Sequence, residues 1–147
     1  MIRTARAGDT GDAEFIALLA HQYDVFGNYV DVFQGMFVAS PESFFICEND
    51  QGQAMGYAKI EWGQNSGDIQ GVVVSPDFRR KGVATKLLDH IELVARERKI
   101  AHLKCITAET ENPAALECFT QWGFQNEGFC GHYPQGQRAV LLRRTLN

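Results

Sequence analysis

Several features that would assign this chain of 147 residues to a particular class are missing. No apolar run reaches the roughly 18 residues that a membrane-spanning helix needs, and the first residues lack the apolar stretch of a signal peptide. Basic residues are fewer than acidic ones, 14 against 18, so the chain has no overall positive charge for binding nucleic acid. No internal repeat or linker-like stretch is present. We expect one cytoplasmic domain over residues 1–147, without a membrane or nucleic-acid partner.

Paired cysteines are missing as well. Cys47, Cys105, Cys118 and Cys130 form no C-x-x-C pattern, which argues against a metal site or a disulfide framework. A reducing compartment is therefore the expected setting. We predict that each cysteine is a small buried apolar residue and that the protein holds no metal.

Hydrophobic periodicity predicts alternating strands and helices. We expect strands over residues 2–6, 43–48, 54–62, 68–74, 103–107, 124–129 and 139–146. Helices are expected from Asp9, between residues 26 and 37, from Val83, and from Pro113 with Asn112 as N-cap and Gly123 as C-cap. The central strand, helix and strand form a crossover, which makes part of the sheet parallel. The predicted fold is α/β (α+β), with a mixed sheet of about seven strands and about four flanking helices.

The segment Val72–Thr85 is the most informative for function. Its sequence, VVVSPDFRRKGVAT, is a β-branched strand, a basic turn and the start of a strongly amphipathic helix. A helix start presents unpaired N–H groups and the positive end of the dipole, and small residues such as Gly82 and Ala84 let a ligand approach the backbone. This pattern favours phosphate or pyrophosphate binding, with a solvated turn as the alternative. The Walker A and G-x-G-x-x-G patterns are absent.

Two motifs in this sequence carry a family resemblance. The pattern R-x-x-G-x-A at residues 79–84 resembles [QR]-x-x-G-x-[GA], the acetyl-CoA signature of the GNAT N-acetyltransferase superfamily. The pattern N-x-x-A-x-x-x-F-x-x-x-G-F at residues 112–124 is similar to a second helix motif of that family, which has Tyr at the position of the Phe. The resemblance implies a GNAT fold and transfer of an acetyl group from acetyl-CoA to a primary amine, of a small molecule or a protein, by direct attack.

The resemblance also implies a role for each residue of the donor site. Backbone groups of Val72 and Val74 would pair with the pantetheine arm, and the N–H of Val73 would polarise the thioester carbonyl. Backbone N–H groups of residues 80–85 would hold the pyrophosphate. The residues implied to bind acetyl-CoA or coenzyme A are Val72, Val73, Val74, Arg79, Arg80, Lys81, Gly82, Val83, Ala84, Thr85, Asn112 and Phe119.

Acetylation requires an acceptor amine that has lost its proton, because a lysine-like amine has a pKa of about 10.4. A side chain must take that proton, directly or through water. The family's spacing points to Asp68 as this base, and Glu61 on the preceding strand is the alternative carboxylate. Asp68 has an alternative role too, as a cap of the turn at residues 65–67.

Phe119 departs from the family pattern, since many members carry there a Tyr that protonates the departing thiolate. Tyr133 is our candidate to replace it, with an ordinary exposed loop as the alternative reading. The loop at residues 131–139 is similar to that of RimI-like N-terminal acetyltransferases, where it lines the acceptor site. Arg138 stands where those proteins usually have an acidic residue, so a peptide acceptor is not implied over a small molecule.

The aromatic residues before position 40 fall where the first two helices of the family cover the acceptor pocket, so the resemblance implies that they form one wall of it. The predicted substrate-binding residues are Phe26 and Tyr29, together with Asp68 and Tyr133, and core packing is the alternative for the first two. Loss of the family Tyr leaves a second function open, namely a weak or inactive acyl-CoA-binding module with a sensing or regulatory role. A homodimer is also left open.

Overall fold

The computed structural model describes residues 1–4, 11, 12, 14–16 and 43–146. Its strands are β1 (Ile2–Thr4), β2 (Phe44–Glu48), β3 (Ala54–Trp62), β4 (Ser66–Val74), β5 (His102–Ala108), β6 (Gln125–His132) and β7 (Arg138–Thr145). They form one sheet in the order β1-β2-β3-β4-β5-β7-β6. The pair β4 and β5 is parallel, whereas β1 with β2, β2 with β3, β5 with β7 and β6 with β7 are antiparallel. The prediction of a mixed sheet of about seven strands is confirmed.

Three helices follow the start of β4 in the described residues: a 3₁₀ helix (Pro76–Phe78), α1 (Val83–Glu97) and α2 (Pro113–Trp122). Residues 11, 12 and 14–16 are also helical. The helix predicted between residues 26 and 37 lies outside the described residues, whereas the helices predicted from Val83 and from Pro113 are present. In the described ranges no helix is both long and apolar enough to cross a membrane.

Helix α1 connects the parallel strands β4 and β5, which confirms the predicted crossover. Its apolar stripe is buried at Val83, Leu87, Leu88, Ile91 and Ala95. Burial of this stripe stabilises the helix far more than intrinsic propensity does.

Both predicted caps of α2 are present. The side-chain oxygen of Asn112 accepts a hydrogen bond from the N–H of Ala115 at 3.3 Å. At the other end Gly123 has a φ of 126°, and the N–H of Phe124 donates to the carbonyl of Phe119 at 3.0 Å. This six-residue bond closes a Schellman motif, which suits glycine at the left-handed position.

Strand β4 begins two residues earlier than residue 68, where we predicted it. The carbonyl of Asn65 accepts hydrogen bonds from the N–H groups of Ala101 and His102, at 3.0 and 3.1 Å. Pairing with β5 therefore starts at Ser66. This extension depends on a long-range contact, which periodicity does not report.

The chain divides into two compact units. The first unit comprises residues 1–60 and 71–90, and the second comprises residues 61–70 and 91–147. Buried side chains of Ile16, Phe44, Ile46 and Tyr57 cluster in the first unit. In the second unit the rings of Phe119 and Phe124 pack edge to face with centroids 5.5 Å apart. One domain over residues 1–147 stays a prediction.

All four cysteines are free thiols. Cys47 and Cys105 are buried, as predicted, and Cys118 is half-buried. The prediction is wrong for Cys130, which is exposed. The reason is its place on β6, a strand at the edge of the sheet in which no residue is fully buried.

Candidate functional site

In the first unit, a tightly bonded turn connects the carboxyl end of β4 to the start of α1. The N–H of Ser75 donates to the carbonyl of Met55 at 2.9 Å, which ties the end of β4 to β3. After the 3₁₀ helix the chain is extended at Arg79, whose Nε donates to the carbonyl of Val74 at 3.3 Å. The turn between β4 and α1 is therefore held at both of its ends.

Two residues of this turn have left-handed backbones, Arg80 with a φ of 61° and Gly82 with a φ of 77°. A left-handed conformation costs a residue other than glycine about 1 kcal/mol. A Cβ placed on Gly82 would have no atom within 4 Å, so the backbone angle and not a lack of space favours glycine here. Strained residues of this kind cluster at ligand-binding turns.

The start of α1 presents free backbone donors. The N–H of Lys86 donates to the carbonyl of Gly82 at 3.0 Å, which is the first hydrogen bond of the helix. In the part of the chain that the structure describes, the N–H groups of residues 80–85 donate to no protein acceptor. The first turn carries no acidic residue, and exposed basic residues occupy positions 79–81. This arrangement suits an anionic group such as a phosphate.

The carboxyl half of β4 lies outside the parallel ladder with β5. That ladder joins Ser66–Ile69 to His102–Cys105. Residues 70–74, which include Val72, Val73 and Val74, continue the strand beyond it. An extended ligand can add to a strand edge of this kind through main-chain hydrogen bonds.

Gly56 on β3 packs beneath this segment, and our sequence reasoning missed it. A Cβ at Gly56 would lie 2.8 Å from the carbonyl oxygen of Val73, 3.3 Å from Cα of Val74 and 3.2 Å from a methyl group of Val83. Only glycine therefore lets β3 approach both the end of β4 and the start of α1. Nothing in the local sequence distinguishes Gly56 from a glycine that merely interrupts a strand.

A cavity of about 440 Å³ lies in the second unit. Its lining residues are Asp68, Ile69, Gln70, Lys104, Cys105, Ile106, Tyr133 and Leu141. A volume in this range accommodates a small molecule or the end of a chain. Asp68 and Tyr133, which the sequence placed on different elements, thus line the same cavity.

Asp68 forms an ion pair with Lys104, its direct neighbour across the parallel strands. Oδ1 of Asp68 lies 3.6 Å from Nζ of Lys104, which is beyond hydrogen-bond distance. The side chains are 54% and 34% exposed. In the described residues the Asp68 side chain makes no hydrogen bond to the turn at 65–67, and the residue lies inside β4, so it does not cap that turn.

The alternative carboxylate, Glu61, does not line the cavity. Its Oε2 accepts a hydrogen bond from Nε2 of Gln70 at 2.8 Å. Gln70 itself lines the cavity. Of the two candidate bases, Asp68 is the one that lines the cavity.

Tyr133 occupies the turn that joins β6 to β7. Its N–H donates to the carbonyl of Gln137 at 2.9 Å, and its carbonyl accepts from the N–H of Gly136 at 2.8 Å. The residue is half-buried and lines the cavity, so the alternative of an ordinary exposed loop is wrong for it. The neighbouring His132 is exposed, with its ring 5.1 Å from that of Phe129.

Cys105 is a thiol in the cavity wall, and its burial makes the thiol unreactive. Desolvation of the thiolate raises the pKa of Cys105 to about 12. The residue is therefore a neutral thiol at neutral pH, and a neutral thiol is a poor nucleophile. The cavity offers no reactive thiolate at this position.

The remaining predicted residues have structural contacts of their own. Asn112 uses its side-chain oxygen to cap α2. Phe119 is buried against Phe124. The contacts of both residues with coenzyme A stay predictions, and Phe26 and Tyr29 lie outside the described residues.

Lys104 is the second residue that sequence reasoning missed. Alternation along β5 places it on the same face as Ile106, which is a local signal. Its pairing with Asp68 depends on the register between two strands that are separated by a helix. That register is not readable from either strand alone.

Comparison with known proteins agrees with the motifs. Residues 13–124 match the Acetyltransferase (GNAT) family. An N-alpha-acetyltransferase of Sulfurisphaera tokodaii is 26% identical over 117 residues, which are 71% of this chain and 70% of that protein. The NAA20 catalytic subunit of the N-terminal acetyltransferase B complex of Arabidopsis thaliana is 27% identical over 112 residues, 73% of this chain and 64% of that protein. The chain thus spans about two thirds of the length of these relatives.

A solved structure of the NatC complex bound to Gag peptide and CoA has a similar fold. The TM-score is 0.83 at 20% identity, and the match covers 100% of this chain and 98% of that one. At this identity the likeness shows the fold and nothing finer.

Proposed function

Because the chain belongs to the acetyltransferase (GNAT) family, we propose that it transfers the acetyl group of acetyl-CoA to a primary amine. The observation that carries this proposal is the row of unpartnered N–H groups at residues 80–85, which follow a basic turn and open α1. A pyrophosphate is the group that such a helix start binds well. The solved structure of the NatC complex, which has the same fold, contains CoA.

In the proposed donor site the pyrophosphate lies on the N–H groups of Arg80 to Thr85. Arg79, Arg80 and Lys81 add positive charge around it. The pantetheine arm adds to the edge of β4 through the backbone of Val72 and Val74, outside the ladder with β5. The N–H of Val73 donates to the thioester oxygen, where negative charge develops during attack.

The proposed reaction is a direct transfer without an acyl-enzyme. The amine nitrogen attacks the thioester carbonyl carbon, the C–N bond forms, and the C–S bond breaks as coenzyme A leaves as a thiolate. Burial keeps Cys105 a thiol, so it supplies no covalent intermediate in the cavity wall.

Two cavity residues are assigned to the proton transfers. Asp68 takes the proton of the attacking amine, directly or through water, and Tyr133 donates to the departing sulfur. A thiol has a pKa of about 8.5, so its thiolate leaves even without an acid. The buried Phe119 in place of a tyrosine therefore lowers the rate rather than abolishing the reaction.

The acceptor is an amine of a small molecule or of a peptide. The names of the similar N-alpha-acetyltransferases support a peptide amine, and the cavity of about 440 Å³ is also large enough for a small molecule. We propose a soluble cytoplasmic enzyme, with a homodimer left open.

The test measures thiol release from acetyl-CoA with a panel of amines, together with calorimetric binding of coenzyme A. We expect coenzyme A to bind and at least one amine to raise thiol release well above hydrolysis. Binding of coenzyme A without turnover of any amine would contradict the proposal and leave an acyl-CoA-binding module. Failure to bind coenzyme A would contradict both.

A further inference from the structure

Resting on the proposed function, we infer that the acceptor amine also carries a carboxylate, with the amine directed to Asp68 and the carboxylate to Lys104. The shared chemistry is that of an amino acid or of a peptide whose acidic side chain lies near its amino terminus. Lys104 is then a residue that determines acceptor specificity.

The charges in the cavity wall are the first argument. Among the lining residues that the structure describes, Asp68 and Lys104 are the charged ones, and their formal charges cancel. A polyamine would bring at least two positive charges to a wall with one carboxylate and one ammonium. An acceptor with one charge of each sign meets an opposite charge at each position.

The state of the Lys104 ammonium is the second argument. In the part of the chain that the structure describes it makes no hydrogen bond, and Asp68 at 3.6 Å is too far away to accept one. The side chain is 34% exposed, and its ammonium carries three N–H donors. A carboxylate within reach would satisfy donors that the protein leaves open.

The neighbour of Lys104 on its other side strengthens this argument. Across the antiparallel pair of β5 and β7, Lys104 lies opposite Arg143. The guanidinium of Arg143 is itself held by Glu127, with Nε 2.9 Å from Oε1. Glu127 is thus already paired with Arg143. A second carboxylate for Lys104 must therefore come from outside the set Asp68, Lys104, Arg143 and Glu127.

The apolar part of the wall fits the carbon skeleton of such an acceptor. Ile69 is buried, Ile106 is 55% exposed, and Leu141 is half-buried beside it as its cross-strand partner. An exposed isoleucine that lines a cavity favours contact with an aliphatic chain. The wall thus offers one carboxylate, one ammonium and an aliphatic surface.

The experiment compares acceptors that differ in the carboxylate alone. One arm uses free amino acids, their carboxamides, and the amines that lack the carboxyl group. A second arm uses short peptides with Asp or Glu as second residue, against the same peptides with Asn or Gln. We expect kcat/KM to favour the carboxylate acceptors of one arm by about tenfold or more, and the arm that shows the preference identifies the source.

Variants of Lys104 separate recognition from a structural effect. Lys104→Met should raise KM for the carboxylate acceptors about tenfold or more, and should change KM for neutral amines much less, because only the carboxylate acceptors lose a charged partner. Lys104→Arg should retain the preference. Lys99→Met, an equivalent change at an exposed lysine outside the cavity, is the matched control.

Three results would contradict the inference. Equal kcat/KM for each carboxylate acceptor and its amide would refute it while the proposed function stood. Absence of turnover with every amine would refute both. A preference that survives Lys104→Met unchanged would also refute the role of Lys104.

Discussion

Asp68 and Lys104 face each other across the parallel strands β4 and β5, with Oδ1 of Asp68 3.6 Å from Nζ of Lys104. Both side chains line the cavity of the second unit. The carboxylate that we assign as base therefore has a cation beside it but no hydrogen bond to that cation. Removing this exposed pair should cost less than about 1 kcal/mol of stability, so its variants report on activity.

Asp68→Asn should lower kcat/KM about 10²- to 10⁴-fold, because the amide cannot take the amine proton. Binding of coenzyme A should be unchanged. Glu61→Gln is the matched control, since Glu61 lies outside the cavity lining and is held by Gln70. A larger loss in Glu61→Gln than in Asp68→Asn would exchange their assignments.

Gly56→Ala should destabilise the protein by about 1–3 kcal/mol, because its Cβ would lie 2.8 Å from the carbonyl oxygen of Val73. The backbone of Val73 and Val74 must shift, so affinity for acetyl-CoA should fall as well. Urea unfolding and calorimetric binding measure the two effects. Gly71→Ala is the control, because a Cβ there meets nothing within 4 Å. Equal losses in both variants would refute the close-approach explanation.

Gly82→Glu should abolish measurable acetyl-CoA binding, because it adds negative charge and bulk where we place the pyrophosphate. A Cβ at Gly82 meets no protein atom within 4 Å, so a steric clash within the protein does not explain such a loss. Gly82→Ala shares the strain of the left-handed φ of 77° without the charge. It should cost about 1 kcal/mol of stability and weaken binding much less. Unchanged affinity for acetyl-CoA in Gly82→Glu would refute the assignment of the pyrophosphate to the N–H groups of residues 80–85.

Stability should fall at alkaline pH through Cys105. Its pKa is raised to about 12 in the folded state by burial, against about 8.5 in the unfolded chain. The folded state thus favours the protonated thiol, a stabilisation that is complete below about pH 8.5 and is lost as pH rises towards about 12. Free energies of unfolding measured between these limits should fall by up to about 1.4 kcal/mol per pH unit from this group.

Cys105→Ala should flatten that decline, and Cys130→Ala should leave it unaltered because Cys130 is exposed. The same contrast should appear in thiol labelling of the folded protein. A disulfide reagent should modify Cys130 rapidly and Cys105 only on unfolding. An identical alkaline decline in both alanine variants would contradict the assignment to Cys105.

Local features were predicted well from the sequence. The stripe of α1, the Asn112 and Gly123 caps of α2, and the bounds of β3 are confirmed, because each depends on residues a few positions apart. The basic turn before α1 was also visible, since its signal lies in contiguous residues. The exposed Cys130 was missed because burial depends on which strand forms the edge of the sheet.

The sequence by itself determined the family motifs, the order of elements and the segment that opens α1 with free N–H groups. Only the tertiary structure decided that Asp68 has Lys104 beside it, that Tyr133 lines the same cavity, and that Gly56 lets β3 approach β4. These three relationships join residues that are distant in the chain. They depend on strand register and sheet order, which no local pattern of residues encodes.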